Sequence, residues 1–202
     1  MGSCVADIRP NTLLPDGFLY RPDFLSIEEE KDLLSRFKGL DFRAFDFHGY
    51  IAKRRVFEYG SKYDFGTRLA SPAQPIPPFL GPYKERAAKW VGLAAEEIAE
   101  AIVTEYPEGA PIGWHRDVPR FEVVIGISLD CACRLRFKPY KAKGNILSLT
   151  LEPRSAYVIS GNARWGYQHS IPAVKARRYS ITFRTLQTKR KPVSASTPLP
   201  SR

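Results

Sequence analysis

Cysteine is scarce in this chain, with only Cys4, Cys131 and Cys133 among 202 residues. That excludes a disulfide framework and a cysteine-rich zinc site, and it fits a reducing compartment: cytoplasm, nucleoid or nucleus. Cys131 and Cys133 would share one face of a strand, but strands do not favour bridging such neighbours, so both read as small packing residues. Long apolar runs are missing too. No stretch reaches about 18 apolar residues, so no membrane span is expected. The N-terminus lacks a basic segment leading into an apolar one, which argues against a secretory signal, and Ala6 breaks the myristoylation pattern begun by Met1 and Gly2. No internal repeat is found. Histidine is as rare as cysteine: His48, His115 and His169.

With 44% apolar residues the chain can build one domain with a sizeable core, expected over 1–186 and by default a monomer. Positive charge is in excess, +10 net with a pI near 9.6. Four of those charges, Lys189, Arg190, Lys191 and Arg202, lie in the acid-free, Pro- and Ser-containing segment 187–202, expected to be a disordered basic tail. The remainder is still basic. A polyanionic partner, nucleic acid, is implied, the bland alternative being surplus surface lysine.

Residues 1–22, with Pro10, Pro15 and Pro22, read as an irregular lead-in. Ser26 followed by Glu29 is a capping box that opens a helix with Leu33, Leu34 and Phe37 on its apolar face. The aromatic segment 42–50 reads as a strand, and 52–60 carries the cluster Lys53, Arg54 and Arg55. Five prolines between 71 and 82 make a rigid loop, and a second helix is expected over 83–90. Strands are expected next at 101–106, 121–129, 134–137, 147–151, 156–160 and 179–186. Two helices before many short strands predict an α+β domain whose core is an antiparallel sandwich or barrel.

Two of the histidines belong to an ordered set. Gly113-Trp-His-Arg-Asp-Val118 gives His-x-Asp, and Tyr167-Gln-His-Ser-Ile-Pro172 gives a distant His. In an extended segment His115 and Asp117 point to one side, and His169 from another strand completes a triangular face. Such a set leaves the opposite face free for a co-substrate and dioxygen, which suits ferrous iron. His-x-Asp alone recurs by chance; its weight comes from the residues downstream of it. In 178–184, Arg178, Ser180, Thr182 and Arg184 alternate with Tyr179, Ile181 and Phe183. With the apolar face against a helix, the two arginines would lie inside the sandwich. They have no acid on their own strand, so a ligand carboxylate is expected to meet them. The order His-x-Asp, His, Arg-x5-Arg resembles the pattern of non-haem iron, 2-oxoglutarate-dependent oxygenases.

Over 42–184 the chain resembles the AlkB-type branch of iron and 2-oxoglutarate dioxygenases. The likeness rests on Tyr106-Pro-Glu-Gly109, Trp114-His-Arg-Asp117, Ile127-Ser-Leu129, the stretch 151–161, Ala163-Arg164, His169-Ser-Ile171 and the closing Arg-Tyr-Ser-Ile-Thr-Phe-Arg strand. The resemblance implies a double-stranded β-helix (jelly-roll) core, N-terminal helices packed on one sheet, and a nucleotide-recognition lid. It implies that His115, Asp117 and His169 bind Fe(II) and perform the catalysis, that Arg178 with Tyr106 holds the distal carboxylate of 2-oxoglutarate, and that Arg184 sits near its chelating end. The implied activity is oxidative demethylation of alkylated bases in single-stranded DNA or RNA, consuming dioxygen and releasing formaldehyde, succinate and CO2.

Two departures stand out. Thr104 and Ser180 occupy positions where the family often carries an Asn that contacts 2-oxoglutarate; both can still hydrogen-bond to it. Pro119 stands where repair members usually place an acid against the base, with Glu122 the nearest acid downstream. An RNA-modifying or protein-directed hydroxylase or demethylase on the same scaffold therefore remains a second reading, and a non-catalytic nucleic-acid-binding module a third. On the substrate side, His48, Tyr50, Lys53, Arg54 and Arg55 interleave cations with aromatics as base-stacking surfaces do, although ordinary strand packing would look similar. Arg164 and Trp165, near His169, are expected at the pocket border.

Overall fold

The computed structural model describes residues 14–47, 50–63 and 70–187, with the backbone alone at 45–47, 50, 51, 61–63 and 70. The lead-in before 14, His48, and the tail from 188 onward lie outside the described residues.

A short strand, β1 (Phe18–Arg21), opens the fold and pairs with a strand from far along the chain. The expected irregular lead-in is corrected here. Pro15 and Pro22 bracket Phe18-Leu19-Tyr20, and an edge position tolerates such flanks because only one side of the strand must pair. Gly17 turns the chain into it at φ +88°, against the carbonyl of Ser160, where any side chain would overlap. Helix α1 (Ile27–Phe37) begins at Ser26, whose Oγ accepts from the Glu29 amide at 3.1 Å while Glu29 accepts from the Ser26 amide at 2.8 Å.

The aromatic-basic region is a hairpin, β2 (Arg43–Phe47) and β3 (Tyr50–Tyr59), and a two-stranded ribbon comes after it, β4 (Ser61–Tyr63) and β5 (Ala70–Pro72). A 3-10 turn over Pro78–Leu80 leads into α2 (Gly81–Trp90), which starts two residues earlier than expected because Pro82 sits in its first turn, where no amide is needed. The strands β6 (Ile98–Tyr106), β7 (Ile112–His115), β8 (Phe121–Leu129), β9 (Cys133–Pro139), β10 (Leu147–Leu151) and β11 (Ala156–Ile159) come next. A single-turn helix, α3 (Gly161–Trp165), precedes β12 (Tyr167–Ile171) and β13 (Arg178–Leu186).

The main strands form two antiparallel sheets, β1-β11-β8-β13-β6-β3-β2 and β10-β9-β12-β7. Strand β13 shows how the alternating sequence sorts two layers. Tyr179, Ile181 and Phe183 join Leu33 and Phe37 of α1 and Ala87 and Ala88 of α2 in one apolar cluster. Phe183 is wholly buried there, and truncating it to Ala would cost about 3–5 kcal/mol. A second cluster lies between the sheets, with Tyr106, Tyr157 and Ile159 from the large one against Leu135, Phe137 and Ile171 from the small one. The polar face of β13 points into that layer. Its register on β6 sets Arg178 opposite Tyr106, Ser180 opposite Thr104 and Arg184 opposite Glu100. No helix among the described residues is long and apolar enough to cross a membrane.

Candidate active site

Strands β7 and β12 pair so that His115 and His169 face each other across the ladder, ring centroids 4.2 Å apart. The His115 Nδ1 lies 2.9 Å from the Gly113 carbonyl; as the N–H donor there it leaves Nε2 with a free lone pair. Asp117 comes just past the end of β7, in a segment gripped from behind. The buried Arg164 donates through Nη2 to the carbonyls of Asp117 at 2.9 Å, Val118 at 2.8 Å and Phe121 at 3.1 Å. One nitrogen atom therefore fixes the backbone that carries the carboxylate. One ligand atom from each of His115, Asp117 and His169 falls within 4.8 Å of the others.

The two oxygens of Asp117 are unequal. Oδ1 accepts from Arg184 Nη2 at 2.7 Å, whereas Oδ2 is buried with no hydrogen-bond partner, 3.5 Å from His169 Nε2. A buried carboxylate oxygen left open between two imidazoles matches a divalent cation, and these donors suit iron. Electrostatics agree. Burial would raise the Asp117 carboxyl, but Arg184 and the two histidines outweigh it and hold the group ionised. Burial, reinforced by His115, pushes the His169 imidazole down to about 3, so both rings stay neutral, as ligation requires.

The arginines of β13 divide. Arg184 meets Glu100 at 2.7 Å as well as Asp117, so its partners are protein carboxylates from β6 and the metal loop rather than a ligand. The expectation that both arginines lack acids is corrected: strand pairing supplies what the strand's own sequence does not show. Burial also raises the Glu100 carboxyl, with Arg184 opposing it. Arg178 is different. Fully buried, it donates to Ser128 Oγ at 3.1 Å through Nη2, lies 4.8 Å from the Tyr106 ring, and leaves Nη1 without a partner. A buried guanidinium with no carboxylate is costly unless a ligand anion meets it.

A cavity of about 340 Å³ opens on these groups, within the range of small-molecule sites. Thr104, Tyr106 and Arg184 line it together with His115, Asp117 and His169, while Arg178 and Ser180 lie behind that lining, buried. Its apolar wall includes Leu135, Tyr157, Ile159 and Ile171; Glu58 and Glu100 are its other acids.

The basic cluster of β3 is not one surface. Arg54 lines the cavity beside Ala52 and Val56, Lys53 is exposed, and Arg55 is tied to Glu105 through Nε at 2.6 Å. Strand alternation separates neighbours that the linear sequence groups together. The Tyr50 side chain and His48 lie outside the described side chains. Trp165 is also displaced from its expected place: its ring stacks under Arg164 at 4.4 Å, its Nε1 faces Glu122 at 3.4 Å, and it does not line the cavity. Pro119 is exposed.

A family model for the 2OG-Fe(II) oxygenase superfamily matches residues 17–184. The chain belongs to that superfamily. Among its relatives, the "Alkylated DNA repair protein ALKBH8 homolog" of Arabidopsis thaliana is 29% identical over 210 residues, covering 85% of this chain and 58% of that protein. A mimivirus protein, L905, is 25% identical, with 85% of each chain covered. The "tRNA (carboxymethyluridine(34)-5-O)-methyltransferase alkbh8" of Xenopus tropicalis is 26% identical over 78% of this chain but only 25% of its own length. The chain thus spans little more than half of the Arabidopsis relative. The solved structure of OsALKBH1 superposes with a TM-score of 0.67 at 16% identity, covering 85% of this chain and 99% of that one, which shows a shared fold. The chain is thus similar to AlkB homologues within that superfamily, and His115, Asp117 and His169 could hold the Fe(II) for which the superfamily is named.

Glu100, Tyr157 and the backbone grip of Arg164 escaped the sequence reading. Glu100 shares the β6 face with Thr104 and Tyr106, so an acid in that alternation was a visible signal. Tyr157 gave none; its ring packs over Gly126, where a Cβ would overlap it.

Proposed function

We propose that this dioxygenase oxidises a carbon substituent on a base of single-stranded nucleic acid, RNA foremost, and that removal of a methyl group as formaldehyde is its simplest outcome. The two facing sheets are read as the double-stranded β-helix core, with β2 and β3 as the lid. When bound, Fe(II) and 2-oxoglutarate supply the oxidation: 2-oxoglutarate and dioxygen become succinate and CO2, and one oxygen atom enters the substrate C–H bond. His115, Asp117 and His169 hold the metal. Arg178 and Tyr106 would hold the distal carboxylate of 2-oxoglutarate, Thr104 and Ser180 would hydrogen-bond along it, and Arg184 locks Asp117 in register.

The observation that carries this reading is the contrast between the arginines: the fold gives Arg184 two carboxylates and leaves the buried Nη1 of Arg178 with none. The preference for RNA rests on relatives whose names link them to tRNA and on the exposed Pro119, which takes away the acid expected against a damaged base. Besides Asp117, the acids that line the cavity are Glu58 and Glu100, the latter paired with Arg184. The test is to incubate the protein with Fe(II), 2-oxoglutarate and methylated single-stranded RNA or DNA, digest the polymer, and weigh the nucleosides. Loss of the methyl group with formaldehyde release supports demethylation, and gain of one oxygen supports hydroxylation on the same scaffold. Succinate formation with every nucleoside unchanged overturns the nucleic-acid substrate.

A further inference from the structure

The small sheet has one face in the core and one outside, and the outer face is strongly basic. On β9, Cys133, Leu135 and Phe137 point into the layer between the sheets, which leaves Arg134, Arg136 and Lys138 on the other side. None of the four strands β7, β9, β10 and β12 contains an Asp or Glu, and from Cys131 to Leu151 there is no acid at all, while Lys141 and Lys143 add to the charge. The cations are held in place without being neutralised. Arg134 donates to Ser148 Oγ on β10 at 2.7 Å and Arg136 to Ser170 Oγ on β12 at 3.1 Å, neutral partners on the strands to either side. Across β12, the Trp114 ring of β7 lies 5.0 Å from the Arg136 guanidinium and 4.7 Å from Lys138 Nζ.

This surface has a direction. Successive cations on β9 are about 7 Å apart, two residues of strand rise, so they form a row rather than a point. β7 is the edge strand of the small sheet, and Trp114 and Arg116, next to His115, also line the mouth of the cavity. The row lies along β9, and the Trp114 ring joins it sideways, across β12, to the cavity mouth. Spaced cations suit phosphates, and an aromatic ring beside them suits an unstacked base.

We propose that the outer face of the small sheet, Arg134, Arg136 and Lys138 with Trp114, is a track for the phosphodiester strand of a single-stranded polynucleotide, leading the target nucleotide over β7 into the pocket. This rests on the nucleic-acid function proposed for the pocket and assigns its contact surface away from the cluster at 53–55. No acidic groups on these strands repel the polynucleotide, and the pocket end is reached without crossing the helix-covered face of the large sheet.

The experiment uses the full chain and a fluorescently labelled single-stranded RNA, with DNA of the same sequence in a parallel arm, and reads affinity by anisotropy across a salt series. The triple variant Arg134→Gln, Arg136→Gln, Lys138→Gln is expected to bind at least about tenfold more weakly, with the slope of log affinity against log salt reduced by about 2, the value for three lost contacts on a single strand. A matched loss of charge from the helical face, Lys31→Gln, Lys84→Gln, Lys89→Gln, should leave the slope close to wild type. Arg134→Lys with Arg136→Lys should retain the slope, and Trp114→Leu should lower affinity without changing it. RNA-independent succinate formation reports that the triple variant is folded. Equal losses from both triple variants, or an unchanged slope in the sheet variant while wild type binds, overturn the track and leave the nucleic-acid function standing. Failure of wild type to bind either polymer at low salt overturns both.

Discussion

Asp117 divides its work between its oxygens, one on Arg184 and one open to a metal, and the site depends on that division. Asp117→Ala should abolish succinate formation while leaving the thermal transition within a few degrees of wild type; full residual turnover would remove Asp117 from the metal. Arg184 is itself held by Glu100, so Glu100→Gln should weaken Fe(II) binding by about tenfold through loss of that support, with a smaller effect on 2-oxoglutarate binding to the loaded protein, both measured by calorimetry under anaerobic conditions. Arg178→Gln should do the reverse. In the role proposed for Arg178 it would remove charge-assisted hydrogen bonds to a carboxylate, and it should raise the KM for 2-oxoglutarate by about 10- to 100-fold with kcat changed less. An unaltered KM would give the arginine a purely structural role.

At the scale of elements, α1 and β13 were legible because each carries a complete local signal: a capping box ahead of an apolar stripe, and a strict alternation of polar and apolar residues. Strands β1, β7 and β12 and helix α3 were not. They are four or five residues long, and in β7 and β12 a histidine interrupts the short inward face, beside Ile112 in one and between Tyr167 and Ile171 in the other. The candidate metal ligands could be read as a set from their order along the chain, a local His-x-Asp followed by a distant His and the Arg-x5-Arg strand, whereas the acids of Arg184 required the register of β6 on β13. The same limit explains why Lys53, Arg54 and Arg55 looked like one patch. The α1 cap also joins α2: Arg86 grips Glu29 through two hydrogen bonds of 2.5 and 3.0 Å. Arg86 holds the Glu29 carboxyl below its ordinary value of 4.5, so the pair stabilises the fold above about pH 4.5 and that contribution is lost as pH falls through the lowered value. Glu29→Gln can still cap the helix and isolates the ion pair. It should lower stability by about 0.5–1 kcal/mol at neutral pH, modest because Arg86 is partly solvated, and the gap in thermal midpoint should close in acid. A gap that widens in acid would contradict the pairing.

For the whole molecule, the two sheets separate two kinds of work. The large sheet buries α1 and α2 on one side and turns Tyr106 and the polar face of β13 toward the small sheet on the other. The small sheet carries both histidines inward and an acid-free basic face outward. Net charge was evident from composition, but its location was hidden in strand alternation. The positions of the metal set, the unmatched Arg178 and the basic face around one cavity make a single testable unit. The most direct measurement is the rate of succinate formation from 2-oxoglutarate with Fe(II) and dioxygen, with and without methylated single-stranded RNA. Turnover that rises several-fold with the methylated strand, and less with the same strand unmethylated, is the expected result. Succinate formation indifferent to every polynucleotide supplied would contradict a nucleic-acid oxygenase.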